Sequence, residues 1–279
     1  MRRFSGYIWP FARSAPVIPD LVAKDLAYAN QPGHVGDISQ LLDTKGIVKV
    51  TLNFKDESSD YLRILIRKLH QNYGHGLPIR HSASRGWFWD VRPTAQRAGQ
   101  LARSETTKDF PWHTDCSYES SPPRFFALHV LQHDRCGGGT LSVMNVDSVS
   151  QLLSPSTTTA LCKPNFRIAT PPEFTKDNPH GYIVGSLLLV SETPAPNIIR
   201  FREDIVTPLN MEAANALTEL KKALKEPQAQ EQTIHFTSAH LPSGSILLID
   251  NYRWLHMRDE VKDKGRHLRR VRWNAMPFY

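Results

Sequence analysis

The residues with the clearest potential for chemistry lie in the short run Trp112-His113-Thr114-Asp115. On an extended strand, side chains two positions apart leave the same face, so His113 and Asp115 could bind one metal ion. The spacing alone is weak support, because about one such triplet is expected by chance in a chain with 12 His and 27 Asp plus Glu. A third ligand is needed before this run can be interpreted as a metal site.

A third candidate ligand is His256, 143 residues after His113. It ends the run DNYRWLH at 250–256, in which Asn251 and Tyr252 interrupt the strand pattern. A jelly-roll barrel can bring two such distant strands side by side. Two histidines and one carboxylate form a facial triad that suits Fe(II) and leaves coordination positions open, whereas zinc favours a closed tetrahedral site. The alternatives are a surface ion pair for His113 and Asp115 and a hydrogen-bonded core position for His256.

The elements that would position these residues are predicted to be mainly β-strands. Alternating or β-branched runs bounded by Gly or Pro predict strands; they cover 46–54, 87–91, 124–131, 140–146, 245–250 and a last run from Gly265 to Trp273. A helical period predicts a helix over 58–73. Asp147 and Asn210 are candidate N-caps of a short helix through Leu153 and a longer helix through Leu224.

Composition favours one globular domain without a membrane span. The chain has 279 residues, of which 40% are hydrophobic and 22% charged, and no apolar run approaches the roughly 18 residues that a membrane helix needs. Cys116, Cys136 and Cys162 have the spacing of neither a disulfide scaffold nor a zinc site, so we expect free thiols in a reducing cytoplasm. The first 19 residues are basic and lack acids, but Pro10 and Pro16 argue against an amphipathic transit helix.

The net charge is +7, and the basic residues are mostly scattered; their one concentration is the segment 262–272, which holds six Lys or Arg residues. This segment is either a solvated basic face or part of a site for an anionic small molecule. We expect neither a nucleic acid nor a membrane as partner, and a homo-oligomer stays open. The Gly137–Gly139 run does not predict a phosphate loop, because no Lys-Ser/Thr pair and no helix follow it.

Three motifs in a fixed order resemble the 2-oxoglutarate-dependent taurine dioxygenase (TauD/TfdA) family. They are WHTDCSYESSPP at 112–123, GGGTL at 137–141 and PSGSILLIDNYRWLHMR at 242–258, with GRHLRR and a terminal PFY following. The resemblance implies a mainly β fold with flanking helices around a double-stranded β-helix (jelly-roll, cupin-like) core. It places the oxygenase domain at 46–279 and leaves 1–45 as an N-terminal extension packed on the core.

The resemblance also implies roles for individual residues. His113, Asp115 and His256 correspond to the ligands of Fe(II), and O₂ and 2-oxoglutarate are the cosubstrates. Thr140 corresponds to a hydroxyl that supports the cosubstrate carboxylate. Arg266 is the expected partner of the distal carboxylate of 2-oxoglutarate, since a guanidinium offers a planar, permanently charged, bidentate fork.

The last strand offers two alternating faces, one with Arg266, Leu268, Arg270 and Arg272, the other with His267, Arg269, Val271 and Trp273. Hydrophobicity alone favours burial of the second face. The paired arginines four residues apart in the family select the first face, with Arg270 as a second cosubstrate contact or a substrate anchor. Arg269 and Arg272 are then expected on a solvated basic edge strand.

The expected reaction is the oxidation of a small organic substrate, anionic or amino-acid-derived, by hydroxylation, desaturation or cyclisation with release of succinate and CO₂. Candidate substrate contacts are Trp112, Tyr118 and Arg270, and further candidate pocket residues are Arg85, Trp87 and Phe201. Cys116 is out of register with the ligands and is expected to serve packing. The alternatives are an oxygenase of the same fold acting on protein or nucleic acid, and a non-catalytic jelly-roll binding protein.

Overall fold

The computed structural model describes residues 17–79, 86–94, 101–177, 181–191 and 195–278. The strands in these ranges are β1 (Asp20–Ala23), β2 (Ile47–Leu52), β3 (Phe88–Val91), β4 (Phe110–His113), β5 (Pro123–Gln132), β6 (Leu141–Asn145), β7 (Phe166–Ala169), β8 (Tyr182–Gly185), β9 (Leu188–Leu189), β10 (Ile198–Ile199), β11 (Val206–Pro208), β12 (Ile234–Phe236), β13 (Ser245–Asp250), β14 (Trp254–Arg258) and β15 (His267–Ala275). The helices are α1 (Pro32–Lys45), α2 (Asp60–Tyr73), α3 (Val146–Ser150), α4 (Pro155–Leu161), α5 (Met211–Ala223) and α6 (Pro227–Glu231), with 3₁₀ turns at Leu26–Asn30, Arg103–Glu105 and Pro172–Asp177. Pro10, Pro16 and Arg85 lie outside the described residues.

Two sheets form the centre of the fold. The larger sheet has the strand order β1-β2-β13-β5-β15-β3, and the smaller sheet has the order β12-β6-β14-β4. The pairings in both sheets are antiparallel except for the parallel pair of β1 and β2. Neighbouring strands are distant in sequence, as in a jelly-roll. The predicted mainly β fold class with a double-stranded β-helix core is confirmed.

Apolar side chains from the two sheets meet in the barrel interior. Phe126, Leu247 and Leu268 of the larger sheet join Val143 and Phe236 of the smaller sheet in one buried cluster. Because side chains alternate along a strand, the residues between them face outward. The barrel therefore has an interior layer of side chains and a second, outer layer that must be covered.

Helices α1 and α2 cover the outer face of the larger sheet. Leu62, Leu65 and Leu69 recur at helical spacing along α2 and are fully buried. They belong to one cluster with Val271 and Trp273 of β15. A separate buried cluster joins α3, α4 and α5 to β7 and β9.

Most predicted elements agree with the observed ones to within a few residues. The predicted strands correspond to β2, β3, β5, β6, β13 and β15, and the predicted helix over 58–73 corresponds to α2. Asn210 caps α5 as predicted, since its side chain accepts a hydrogen bond from the Ala213 N–H at 2.8 Å. Local sequence therefore determined these elements.

The predicted cap of α3 is wrong. Asn145, not Asp147, caps this helix, and its side-chain oxygen accepts a hydrogen bond from the Asp147 N–H at 2.8 Å. The helix ends at Ser150, before the predicted Leu153. The Asp147 carboxylate instead accepts a hydrogen bond from the backbone N–H of Asn197 at 3.0 Å, a partner that is remote in sequence.

Strand β15 is buried on both faces and is not an edge strand. It lies between β5 and β3. Hydrophobicity correctly favours burial of Val271 and Trp273, which pack toward α1 and α2. Leu268 and Arg270 face the barrel interior and are also buried.

The predicted solvated edge position of Arg269 and Arg272 is therefore wrong. Arg269 is half-buried, and its Nε lies 3.0 Å from the Asp90 carboxylate of β3. Arg272 lines an internal pocket. The error arose because the neighbouring strand β3 completes the sheet beyond β15.

Two buried histidines predict that the protein loses stability in mild acid. Burial lowers the pKa of both His75 and His129 to about 4, and the Trp273 indole N–H donates to His75 Nδ1 at 3.1 Å, which requires the neutral ring. The unfolded state, with a histidine pKa of about 6.5, binds more protons, so the stabilisation is complete above pH 6.5 and is lost as the pH falls toward 4.

Between pH 7.5 and pH 5.0 the free energy of unfolding should fall by up to about 2 kcal/mol for each of these histidines. Urea titrations at the two pH values measure this difference. His75→Gln keeps an acceptor for Trp273 without a titrating ring, so its stability should depend less on pH than that of the wild type. An equal pH dependence in the two proteins would contradict the prediction.

The three cysteines are free, with Cys116 buried, Cys136 exposed and Cys162 half-buried. The predicted free thiols are thus confirmed. Among the described residues, no helix has the length and apolar character that crossing a bilayer requires.

Candidate metal and cosubstrate site

Strands β4 and β14 bring two distant histidines together. His113, the last residue of β4, pairs in antiparallel register with His256 in the middle of β14. Asp115 follows, and Thr114 between them donates its backbone N–H to the Phe201 carbonyl at 2.7 Å. One ligand atom each of His113, Asp115 and His256 lies within 4.8 Å of the others, and all three residues are buried. These three residues, hereafter the triad, are the predicted metal ligands.

The donor atoms of the triad fit Fe(II). The Nδ1–H of His113 donates to the Pro111 carbonyl at 2.7 Å, which leaves the Nε2 lone pair for a metal. Asp115 Oδ2 and His256 Nδ1 are buried and have no hydrogen-bond partner among the described residues. Orphaned polar atoms of this kind are costly unless a ligand satisfies them. Two histidine nitrogens and one carboxylate are the donor set of an Fe(II) facial triad.

Electrostatics favour the metal-binding protonation states. Burial, and after it the neighbouring His256, keeps the pKa of His113 well below its usual value, so this ring is neutral near pH 7. Burial acts to raise the pKa of the Asp115 carboxyl, but Arg270, His256 and Arg272 outweigh it, and the pKa lies well below its usual range. Arg270 Nη1 donates to Asp115 Oδ1 at 2.9 Å, which leaves Oδ2 available. A carboxylate and a neutral imidazole can therefore bind a cation without first losing a proton.

The side-chain amide of Asn251 fixes the backbone of Asp115. Its Oδ1 accepts a hydrogen bond from the Asp115 N–H at 2.7 Å, and its Nδ2 donates to the Asp115 carbonyl at 3.0 Å and the Pro123 carbonyl at 2.9 Å. The next residue, Cys116, has a φ of 54°, a left-handed conformation that non-glycine residues rarely adopt. The sequence identified Asn251 only as an interruption between two strands.

Replacing Asn251 by alanine is expected to weaken metal binding by about 10- to 100-fold, the range for losing a group that orients a metal ligand. Anaerobic titration of the apoprotein with Fe(II) or Co(II) measures the affinity. Asn210→Ala is the matched control, since it removes the cap of α5 and should cost about 1 kcal/mol of stability without changing metal affinity. Equal metal affinity in Asn251→Ala and the wild type would show that this amide does not position Asp115.

A pocket, hereafter the Arg266 pocket, opens beside the triad. Its lining includes all three triad residues together with Arg266 and Arg270. Arg266 is only 5% exposed, and its Nη1 has no hydrogen-bond partner in the described ranges. Burial, with the charge of Arg258, lowers the pKa of Arg266 to about 9. A buried guanidinium that lacks an acceptor suits the carboxylate of a ligand.

The glycine run before β6 packs against Arg266. Gly139 has a φ of 63°, and a Cβ there would lie 2.8 Å from Arg266 Nε. The buried Asp134 carboxylate accepts hydrogen bonds from the N–H groups of Gly138 at 3.1 Å and Lys262 at 2.8 Å, so it joins this loop to the one before β15. The run therefore shapes the wall around Arg266.

The other two predicted cosubstrate residues differ in their placement. Arg270 lines the Arg266 pocket and bonds to Asp115, while its Nε has no partner among the described residues. Thr140 is half-buried next to Leu141, which lines the pocket, and its carbonyl accepts a hydrogen bond from the Asp259 N–H at 3.0 Å. Arg270 thus lies against the triad, whereas Thr140 is the neighbour of a lining residue and does not itself line the pocket.

A second pocket, hereafter the Tyr118 pocket, shares His113, Asp115 and Arg270 with the first one. The predicted substrate residue Tyr118 lines it and stacks on Phe174 with ring centroids 5.6 Å apart. The two pockets meet at the triad, so a molecule in either pocket can approach a bound metal.

The remaining predicted pocket residues lie elsewhere. Trp112 and Phe201 are buried in the core cluster with α3, α4 and α5. Trp87 packs on the outer cluster of the larger sheet, and the Arg67 guanidinium lies 5.3 Å from its ring. Arg85 lies outside the described residues.

The expected packing role of Cys116 is incomplete, because this residue also lines the Tyr118 pocket, where its Sγ contacts Arg272 Nη1.

The sequence did not predict two further neighbours of the triad. Phe110 stacks on His113 with ring centroids 3.6 Å apart, and Arg202 lies 5.2 Å from the Phe110 ring. Phe110 could have been predicted from the sequence, because it lies in the strand that ends at the metal ligand His113. No sequence pattern indicated Arg202.

Comparisons with known proteins agree with this geometry. Residues 15–272 match the model of the "Taurine catabolism dioxygenase TauD, TfdA family". An L-asparagine oxygenase of Streptomyces coelicolor is 32% identical over 150 residues, and an alpha-ketoglutarate-dependent sulfonate dioxygenase of Saccharomyces cerevisiae is 30% identical over 127 residues. These alignments cover 53% and 43% of this chain but 41% and 29% of the relatives, so the chain matches less than half the length of each.

Two solved structures share the fold at low sequence identity. The crystal structure of an asparagine oxygenase with Fe(II), 2S,3S-3-hydroxyasparagine and succinate superposes with a TM-score of 0.69 at 18% identity, covering 92% of this chain and 93% of that one. The non-haem iron oxygenase OrfP with Fe and alpha-ketoglutaric acid has a TM-score of 0.65 at 18% identity, covering 88% and 81%.

The fold and the site define a jelly-roll protein with a buried two-histidine, one-carboxylate triad. The family match extends over most of the chain. The chain belongs to the taurine catabolism dioxygenase TauD, TfdA family, a family of 2-oxoglutarate-dependent non-haem iron dioxygenases.

Proposed function

We propose that this chain is an Fe(II)- and 2-oxoglutarate-dependent dioxygenase that oxidises a small organic molecule. His113, Asp115 and His256 hold the metal, and Arg266 holds the distal carboxylate of 2-oxoglutarate. When bound, iron supplies the redox chemistry by which R–H, O₂ and 2-oxoglutarate give R–OH, succinate and CO₂. The observation that carries the proposal is that a complete facial triad shares one pocket with the buried guanidinium of Arg266, whose Nη1 lacks a partner among the described residues.

The other side chains of the site prepare this arrangement. Arg270 donates a hydrogen bond to one oxygen of Asp115, which leaves the other oxygen for the metal, and it is a second cosubstrate or substrate contact. Thr140 supports the cosubstrate carboxylate from the border of the pocket. The triad residues are each at most 5% exposed, so a bound substrate would exclude the remaining water.

We propose a small anionic or amino-acid-derived substrate in the Tyr118 pocket, with hydroxylation as the default outcome and desaturation or cyclisation as variants. Tyr118 and Arg270 are the substrate contacts proposed; the predicted contact Trp112 is not retained, because it lies in the core cluster. The guanidinium groups in the wall of this pocket favour an anionic molecule. The names of two relatives, an asparagine oxygenase and a sulfonate dioxygenase, point in the same direction.

We also propose a cytoplasmic location and an accessory role for residues 1–45. Three unpaired cysteines favour a reducing compartment. Within 1–45, β1 extends the larger sheet by pairing with β2, and α1 packs on that sheet. Truncation of 1–45 should therefore lower the free energy of unfolding.

Succinate formation tests the function without knowledge of the substrate. Chelator-treated protein, supplied with Fe(II), 2-oxoglutarate, ascorbate and O₂, should slowly produce succinate and CO₂, and a metabolite pool that contains the substrate should accelerate the reaction. Zn(II) in place of Fe(II) should give no turnover. A non-catalytic binding protein would bind 2-oxoglutarate under these conditions and form no succinate, and that outcome would overturn the proposal.

A further inference from the structure

The wall of the Tyr118 pocket is unusually cationic. Four arginines line it: Arg103, Arg202, Arg270 and Arg272. Each buried or half-buried guanidinium needs an anion or several acceptors to offset its lost hydration. The partners of the four arginines therefore determine which guanidinium group remains available to a ligand.

Three of the four guanidinium groups have a carboxylate of the chain as partner. Arg103 lies 3.3 Å from the Asp109 carboxylate. Arg202 forms a two-pronged pair with Asp204, with nitrogen–oxygen distances of 2.7 and 2.9 Å. Arg270 lies 2.9 Å from the triad carboxylate. None of these three groups is an unpaired cation.

Arg272 is the exception within the part of the chain that the structure describes. The hydrogen bond of its guanidinium goes to the Cys116 sulfur. Asp115 and Glu119 act on Arg272 electrostatically, and Asp115 is committed to Arg270 and the metal position. Among the described residues, Arg272 forms no ion pair with a carboxylate, so the pocket retains one positive charge that no described carboxylate pairs.

The position of Arg272 explains how it faces the pocket. On β15 it follows Arg270 by two residues, so both side chains leave the strand on the interior face. The Arg270 guanidinium donates to the carboxylate of Asp115, and the Arg272 guanidinium contacts the sulfur of Cys116, the residue that follows Asp115. Arg272 therefore lies two residues farther along β15 than Arg270, which contacts the metal ligand.

We propose that Arg272 is the anchor for an anionic group of the primary substrate. This inference rests on the proposed function. Arg266 then holds the cosubstrate and Arg272 the anionic group of the substrate, while Arg270, whose charge the Asp115 carboxylate pairs, remains a secondary ligand contact. A carboxylate or sulfonate accepts two parallel hydrogen bonds from a guanidinium, which fixes the orientation of the substrate as well as its charge.

A second unpaired charge in the same pocket guides the choice of probes. Glu173 lines the Tyr118 pocket, and no ion pair is formed by it among the described residues. Probes that carry an ammonium group beside the anion can satisfy both charges. Suitable probes are the common L-amino acids and taurine, each compared with a neutralised analogue, the amino-acid amide or the corresponding amino alcohol.

The test measures binding to the anaerobic complex of the protein with Fe(II) and 2-oxoglutarate, through the change in its metal-to-ligand absorption band. At least one anionic probe should bind to the wild type, and its neutralised analogue should bind about 10- to 150-fold more weakly, the range for a hydrogen bond to a charged group. Arg272→Gln should weaken binding of the anionic probe by a similar factor and remove the difference between probe and analogue. Arg272→Lys should recover part of the affinity.

Arg269→Gln is the matched control, because Arg269 lies beside Asp90 on the opposite face of the same strand. This variant should bind the probes with the same affinity as the wild type. The absorption band without probe must form in the wild type and in Arg272→Gln; its absence from the wild type would refute the proposed function itself. If the band forms but no probe binds, or neutral analogues bind equally well, or Arg272→Gln keeps the preference for the anion, the assignment of Arg272 is wrong and the oxygenase proposal stands.

Discussion

Replacement of any one triad residue by alanine should abolish iron-dependent turnover of 2-oxoglutarate. His113, Asp115 and His256 each supply one donor atom, and two remaining donors cannot hold Fe(II) in a facial arrangement. The loss should exceed about 100-fold, since losing a group that only orients a ligand already costs about 10- to 100-fold. Succinate formation after chelation and reloading with Fe(II) measures the effect.

Asp115→Glu keeps the charge but moves the carboxylate by one methylene, and it should also lose most activity. The Asn251 amide fixes the backbone and Arg270 fixes one oxygen, so the longer side chain cannot compensate by a backbone shift. His240→Ala removes an exposed histidine and serves as the control with unchanged activity. Near-native turnover in any of the three alanine variants would exclude the triad as the metal site.

Arg266→Ala should weaken 2-oxoglutarate binding by roughly 30-fold to several-thousand-fold, which corresponds to about 2 to 5 kcal/mol for leaving a buried anion without its charged partner. Arg266 is buried in the wall of the pocket that contains the triad, and its Nη1 lacks a partner among the described residues. Arg266→Lys should recover only part of the affinity, since a point charge cannot reproduce the planar fork. Anaerobic titration of 2-oxoglutarate into the iron-loaded variants measures the effect without the primary substrate.

Arg270→Ala distinguishes the two arginines. Arg270 bonds directly to the Asp115 carboxylate, so its loss should change the metal affinity or the coupling of turnover to the substrate more than the affinity for 2-oxoglutarate. Should Arg270→Ala weaken the 2-oxoglutarate titration more than Arg266→Ala does, the two roles are reversed. Thermal unfolding of both variants controls for general destabilisation.

Local patterns in the sequence determined the elements and the ligand candidates. Alternation and helical spacing predicted most of the strands that build the barrel and the helix α2, because these signals depend only on which face of an element is buried. The pair His113 and Asp115 followed from strand geometry, in which alternate side chains share a face. The pairing of this strand with the one that carries His256 came from the family resemblance rather than from periodicity.

Only the tertiary structure decided how charged and polar side chains are used. The sequence predicted Arg272 on an exposed edge strand. In the structure β3 pairs with β15 along that edge, and Arg272 lines the wall of the Tyr118 pocket. Asn251 appeared to be a strand interruption, but it bonds to the backbone of Asp115, a residue 136 positions away. Such partners are remote in sequence, and the free energy of a buried polar group depends on which partner it meets. Sequence patterns therefore specify which residues are buried, and the fold specifies which charges are paired.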